Sequence, residues 1–185
     1  MQTNDYSLTQ TVLPTSEPIT LAQAKKQVDL PIDETAHDEQ LLLLIQAARE
    51  QVEMDASASY VTSTWTQVYD GFRLEFSLEK KPVVSVLSIQ YYDTTETLRT
   101  LATTVYDLDK ANRRVVLKNA QTWPAVAPRW DAVTITYQAG YTAAEKIPSR
   151  IIQGILVLIA QWFDFHEEIV VGAAVNPVPF GARDL

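Results

Sequence analysis

The sequence predicts an α+β fold: a helical bundle of two N-terminal helices and a long C-terminal helix, with an inserted small antiparallel β-sheet module and an extended C-terminal tail. Three observations predict it. Apolar residues recur at three- and four-residue steps in the segments 38–57 and 147–168, as they do on helices with one buried face. Between Thr62 and Tyr137 the period shortens to two, the spacing of a half-buried strand. The last stretch, VGAAVNPVPFGARDL from Val171 to Leu185, has neither period and carries two prolines and one large aromatic.

Residues 1–16 are polar and aperiodic and are expected to form a flexible N-terminal arm. In EPITLAQAKKQVDL, Thr20 and Gln23 have the spacing of a capping box, which predicts a short helix from about Leu21 to Val28. The acids of PIDETAHDE suit the positive N-terminal end of the next helix. That helix is DEQLLLLIQAAREQVEMDAS. Leu41, Leu44, Ile45, Ala48 and Val52 mark its apolar face, and Gln40, Gln46, Arg49, Glu50 and Glu53 are expected on the opposite side.

In TSTWTQVYDGFRLEFSL the apolar positions alternate about Asp70-Gly71, a hairpin signal. PVVSVLSIQYYD, RRVVLKN and DAVTITYQAG read as further strands. Prolines 82, 124 and 128 mark their edges and loops. After Gly140 the chain returns to helix, with Pro148 in the first turn. Ile151, Ile155, Leu158 and Trp162 form one stripe there; Ile152, Leu156, Ile159 and Phe163 form another. So broad an apolar circumference calls for cover from the chain's own fold and from neighbouring subunits. The expected division is therefore 17–61 with 141–170 as the helical bundle, 62–140 as the inserted β module, and 171–185 as the tail.

Composition narrows the function classes. At 185 residues the chain fits one domain, or one domain with a large insertion. Without cysteine it holds no disulfide and no thiolate metal ligand, so nothing ties it to an oxidising compartment. The N-terminus MQTNDYSLTQTVLP shows neither a basic nor an apolar leader segment, and Ile151–Phe163 is too short to span a bilayer, so no membrane role is expected. A net charge of -8 has the wrong sign for gripping phosphates, which argues against tight nucleic-acid binding. Lys110, Arg113 and Arg114 make only a short basic cluster, read as a solvated turn.

Candidate chemistry is sparse, and no catalytic residue, cofactor site or metal site is assigned. Glu34 and His37 have the i, i+3 spacing of carboxylate-bridged di-iron ligands, but Phe163 rather than Glu lies three before His166, so the second pair is missing. A capped, solvated helix start is the better reading. Asp107 and Asp109 have the residue types of a glycosidase pair, although most such pairs in an acidic protein are surface charge. Trp123, Trp130, Tyr91 and Tyr92 suggest stacking on a sugar or base, against the commoner reading of sheet core and a proline-rich loop. No nucleophile elbow, phosphate-binding glycine loop or His-Glu-x-x-His motif is present.

EPITLAQAKKQV, DEQLLLLIQAAREQVE, VTSTWTQVYDGF, KPVVSVLSIQYYD, WPAVAPRWDAVTITYQAGY and IPSRIIQGILVLIAQWFDFHE, in this order over most of 17–168, resemble the head-tail connector (adaptor, head-completion) proteins of long-tailed bacteriophages and prophages. The resemblance implies a non-enzymatic virion protein, made in the bacterial host cytoplasm. It implies a dodecameric homo-oligomeric ring beneath the portal protein that extends the DNA channel and offers a platform to the neck or tail-terminator protein. Genome DNA would pass through without tight binding. It also implies that the tail reaches the portal; on that reading Val175, Pro177, Pro179, Phe180 and Arg183 are the expected docking residues, and the apolar stripe Ile151, Ile155, Leu158 and Trp162 is expected to pack subunits together. The family's glycine stop after the second helix is missing from MDASASY. The alternatives are another neck or tail-completion protein or, from a different class, a carbohydrate-binding or hydrolytic module.

Overall fold

In the computed structural model, residues 6–167 are described. Helix α1 (Leu21–Gln27) starts where expected: the Thr20 hydroxyl accepts from the Gln23 N–H at 3.2 Å and the Gln23 side chain accepts from the Thr20 N–H at 2.8 Å. This capping box satisfies two amide donors that a helix start leaves open. Helix α2 (Asp38–Asp55) ends without glycine because Ser57 takes the left-handed conformation itself, at φ 46°. Helix α3 (Ser149–Glu167) begins just after Pro148, whose carbonyl accepts from the Ile151 N–H at 2.8 Å.

Among the described residues there are eight strands: β1 (Ser7–Val12), β2 (Ser63–Tyr69), β3 (Glu75–Ser77), β4 (Val83–Tyr92), β5 (Leu98–Thr100), β6 (Tyr106–Asp109), β7 (Arg114–Leu117) and β8 (Val133–Ala139). They form a five-stranded sheet in the order β1-β2-β8-β4-β5 and a three-stranded sheet in the order β3-β7-β6, antiparallel throughout. In the central strand β8, Val133, Ile135, Tyr137 and Ala139 all face the core, so the period of two is read directly as an inner and an outer face. Gly140, at φ 124°, closes this strand where a Cβ would lie 2.4 Å from the Val61 carbonyl oxygen, so only glycine fits.

The chain divides into two units. One takes the described residues up to Thr15 together with Ala58–Thr142 and contains both sheets. Its core is aromatic and β-branched, built on Tyr69, Phe76, Leu78, Ile89, Val115, Ile135 and Tyr137. The other takes Ser16–Ser57 and the described residues from Ala143 onward and contains the three α-helices described. Its core is aliphatic, with Leu41, Ile45 and Ala48 of α2 against Ile155, Leu158, Ile159 and Phe163 of α3.

The expected fold class is corrected. The chain is not a helical bundle with a small inserted β module: it has two antiparallel sheets, and its N-terminal segment belongs to the larger of them. Residues 7–12, expected in a flexible arm, form the edge strand β1. Its mostly exposed side chains leave it without the apolar alternation that marks a half-buried strand. The hairpin expected at Asp70-Gly71 is also absent. β2 pairs with β1 and β8, whereas β3 pairs with β7 in the other sheet. A turn signal sets a local reversal, and the ladder partners are chosen by the distant segments that complete each core.

Candidate functional site and interaction surfaces

Two buried cations organise the helical unit. Lys25 of α1 is 3% exposed; its Nζ lies 2.6 Å from Asp38 Oδ1, donates to the Ile32 carbonyl at 3.1 Å and also donates to the Glu34 carbonyl. It thereby pins the α1–α2 loop to the start of α2. Arg49 of α2, also 3% exposed, donates to Glu17 at 2.7 Å and to Glu53 at 2.8 Å. Burial works against its charge, but Glu17 and Glu53 outweigh that and raise its pKa. Arg49 and Glu53 were expected on the solvent side of α2, and the structure buries both. The i, i+4 spacing of Arg49 and Glu53 was the available signal; for Lys25 there was none.

The residues expected to pack subunits together lie in this same core. Ile155 and Leu158 are buried in it, and Ile151 and Trp162 are half-buried against it. The large apolar side chains the helices leave outward are others: Leu42, Leu43 and Met54 on α2, Val157 and Phe165 on α3.

The candidate chemical groups are not brought into one site. His37 Nδ1 lies 3.3 Å from Glu34, and its ring sits edge-on to Phe163 at 5.6 Å. Among the described residues, no three His, Asp or Glu side chains gather to hold a metal. Asp109 receives the Asn112 side chain at 2.8 Å and Arg114 at 3.0 Å. Hydrogen bonds from Asn112, then Arg114, pull its pKa down to about 2, so it is ionised at neutral pH and unsuited to proton donation. Trp123 stacks on Phe72 at 4.8 Å, and Tyr91 meets the same ring edge-on at 5.6 Å, both against the strand-unit core. One face of Tyr92 is covered by Arg129, 3.7 Å from the ring centre. Only Trp130 of these aromatics stands largely free, at 76% exposure. No described helix is long and apolar enough to cross a membrane. The docking residues Val175, Pro177, Pro179, Phe180 and Arg183 lie outside the described residues.

Charge is divided unevenly between the units. Among described residues the helical unit carries twelve acids and five Lys or Arg, a net of -7, while the strand unit carries eight and nine, a net of +1. The acidity of the chain is thus a property of its helices and their loops.

No protein-family model and no curated protein matches the sequence. Solved structures do match in fold. A chain in the neck of an empty gene transfer agent (GTA) particle computed with C6 symmetry superposes with a TM-score of 0.75 at 20% identity, over 95% of this chain and 90% of that one. A chain in the virion of the native GTA particle gives 0.72 at 19% identity, over 92% and 89%. One in the native GTA neck computed with C12 symmetry gives 0.67 at 19% identity, over 95% and 90%. The chain has the fold of these neck and virion chains.

Proposed function

We propose that this chain is a virion structural protein of the neck of a phage or phage-like particle, a head-tail connector. Its copies form a ring beneath the portal, extend the DNA channel and present a platform to the neck or tail. The observation that carries this reading is the fold shared, over nearly the whole length, with a chain in a GTA neck. Neck chains in particles computed with C6 and C12 symmetry favour a closed ring of copies, twelve in the connector reading. The net charge of -8 is compatible with a conduit, since a lumen that attracted phosphate would hold DNA rather than let it slide. The protein acts here without catalysis, through its surfaces.

The test mixes the purified full-length chain with its cognate portal protein and examines the product by native mass measurement and electron microscopy. A ring seated on the portal is expected; failure to form either a complex or a ring at high protein concentration overturns the proposal. The tail residues supply the finer arm of the test. Removing 172–185 is expected to leave the circular dichroism spectrum intact and abolish portal attachment, with Phe180→Ala weakening attachment more than Arg183→Ala.

A further inference from the structure

The five-stranded sheet ends in two open edges. β1 lies at one end and β5 at the other, and among the described residues no strand lies beyond either. Open edges present unpaired N–H and C=O groups, and proteins commonly blunt them with charges or proline. β1, SLTQTV, has neither, and its register with β2 is unbroken from Ser7 to Gln10, shifting only between Gln10 and Val12. All three residues of β5 are exposed, with Leu98 at 50%; its one charge, Arg99, is paired with Asp93 at 2.9 Å. At the end of β1, Val12 and Leu13 are 54% and 65% exposed.

Charge indicates which occupant fits these edges. Two copies meeting through their helical units would bring -7 against -7, whereas the strand unit, at +1, can approach another copy with little repulsion. Direction adds a second constraint. Antiparallel pairing from β1 to β2, β8, β4 and β5 leaves β1 and β5 running the same way. A rotation that carries one copy onto the next can therefore lay β5 of the first beside β1 of the second in parallel. The two patches differ, so the contact is head-to-tail and repeats until a ring closes.

We infer that neighbouring copies join edge to edge, β5 of one pairing with β1 of the next, so that the five-stranded sheets run on from copy to copy around the ring. This rests on the ring reading above and identifies the surface that makes it. The occupant of each edge is a second copy of this chain.

The chain has no cysteine, which makes disulfide trapping clean. Paired strands lie about 4.8 Å apart, within the span a disulfide bridges. In the full-length protein, Thr9→Cys is combined in turn with Leu98→Cys, Arg99→Cys or Thr100→Cys and oxidised at high concentration. At least one double variant is expected to give a ladder of covalent dimers, trimers and higher species, while each single variant stays monomeric on a denaturing gel. A dimer from Thr9→Cys alone would mean that β1 pairs with β1, and overturns the inference. A Leu43→Cys dimer with no ladder from the double variants overturns it in favour of the α2 face. Rings visible by electron microscopy but no ladder sink the edge pairing and leave the ring intact; neither rings nor ladder sinks both.

Discussion

The two units of this chain solve the problem of buried polar groups in different ways. In the strand unit most of the groups are neutral, and the buried cation Lys80 sets its ammonium 4.8 Å from the centre of the Trp65 ring. Gln67 donates to the Tyr69 hydroxyl at 2.9 Å and accepts from the Glu79 N–H at 3.0 Å, and the Tyr137 hydroxyl accepts from the Lys80 N–H at 3.1 Å. In the helical unit they are cations, Lys25 and Arg49, each surrounded by acids or carbonyls. An acid-rich unit can bury a cation because a carboxylate is at hand to neutralise it, and a buried charge without one is prohibitive. The difference extends to net charge, -7 for the helical unit and +1 for the strand unit among described residues.

The strongest test of this contrast deletes one core group from each side. Phe76, 1% exposed, packs against Tyr69, Phe72 and Trp123, so Phe76→Ala is expected to lower the unfolding free energy by about 4 kcal/mol in denaturant titration. Arg49→Ala removes no large apolar group, yet it takes the guanidinium away from the buried carboxylate of Glu53 and is expected to cost about 3 kcal/mol. Replacing Arg49 and Glu53 together by Met and Leu should recover much of that loss; if it does not, the ion group contributes more than mutual neutralisation. Thr20→Ala removes half of the capping box and is expected to cost about 1 kcal/mol, read in the same titration.

A pH titration separates the units without mutation. Burial raises the pKa of Tyr69 and Tyr137, and burial together with the hydrogen bond to Glu79 raises that of Tyr6 to about 12, all from an ordinary value near 10. Below pH 10 these phenols are protonated in the folded and unfolded chain alike, and their contribution to stability is complete. As pH rises from 10 through 12 the unfolded chain loses its protons first, so stability falls over that window. All three lie in the strand unit. Near-ultraviolet circular dichroism should follow the loss, and Tyr6→Phe should flatten the part of the slope that Tyr6 supplies.

Much of the local structure was legible in the residues. Thr20 and Gln23 announced α1, Leu41, Ile45 and Ala48 the buried face of α2, and DAVTITYQAG the strand β8. β1, β5 and β6 were not legible. β1 and β5 are mostly exposed, so burial prints little on their sequence, and in β6 only Tyr106 is buried, beside two acids that read as surface charge. Asp107, Asp109, Trp123 and Tyr91 carried a chemical suggestion through residue type alone. The structure gives Asp109, Trp123 and Tyr91 structural partners instead.

By itself the sequence determined the elements whose physics is local or periodic: a capped helix start, two long amphipathic helices, alternating strands, an acidic balance and the absence of cysteine chemistry. Only the tertiary structure decided that β2 and β3 belong to different sheets, that the N-terminal segment forms an edge strand of one of them, and that Arg49 is buried rather than on the solvent side of its helix. The physical reason is common to all three. Helix formation depends on neighbours a few residues away, whereas a strand's partner is supplied from tens of residues along the chain, and Arg49, though spaced i, i+4 from Glu53, also takes Glu17 from 32 residues away as a counter-ion.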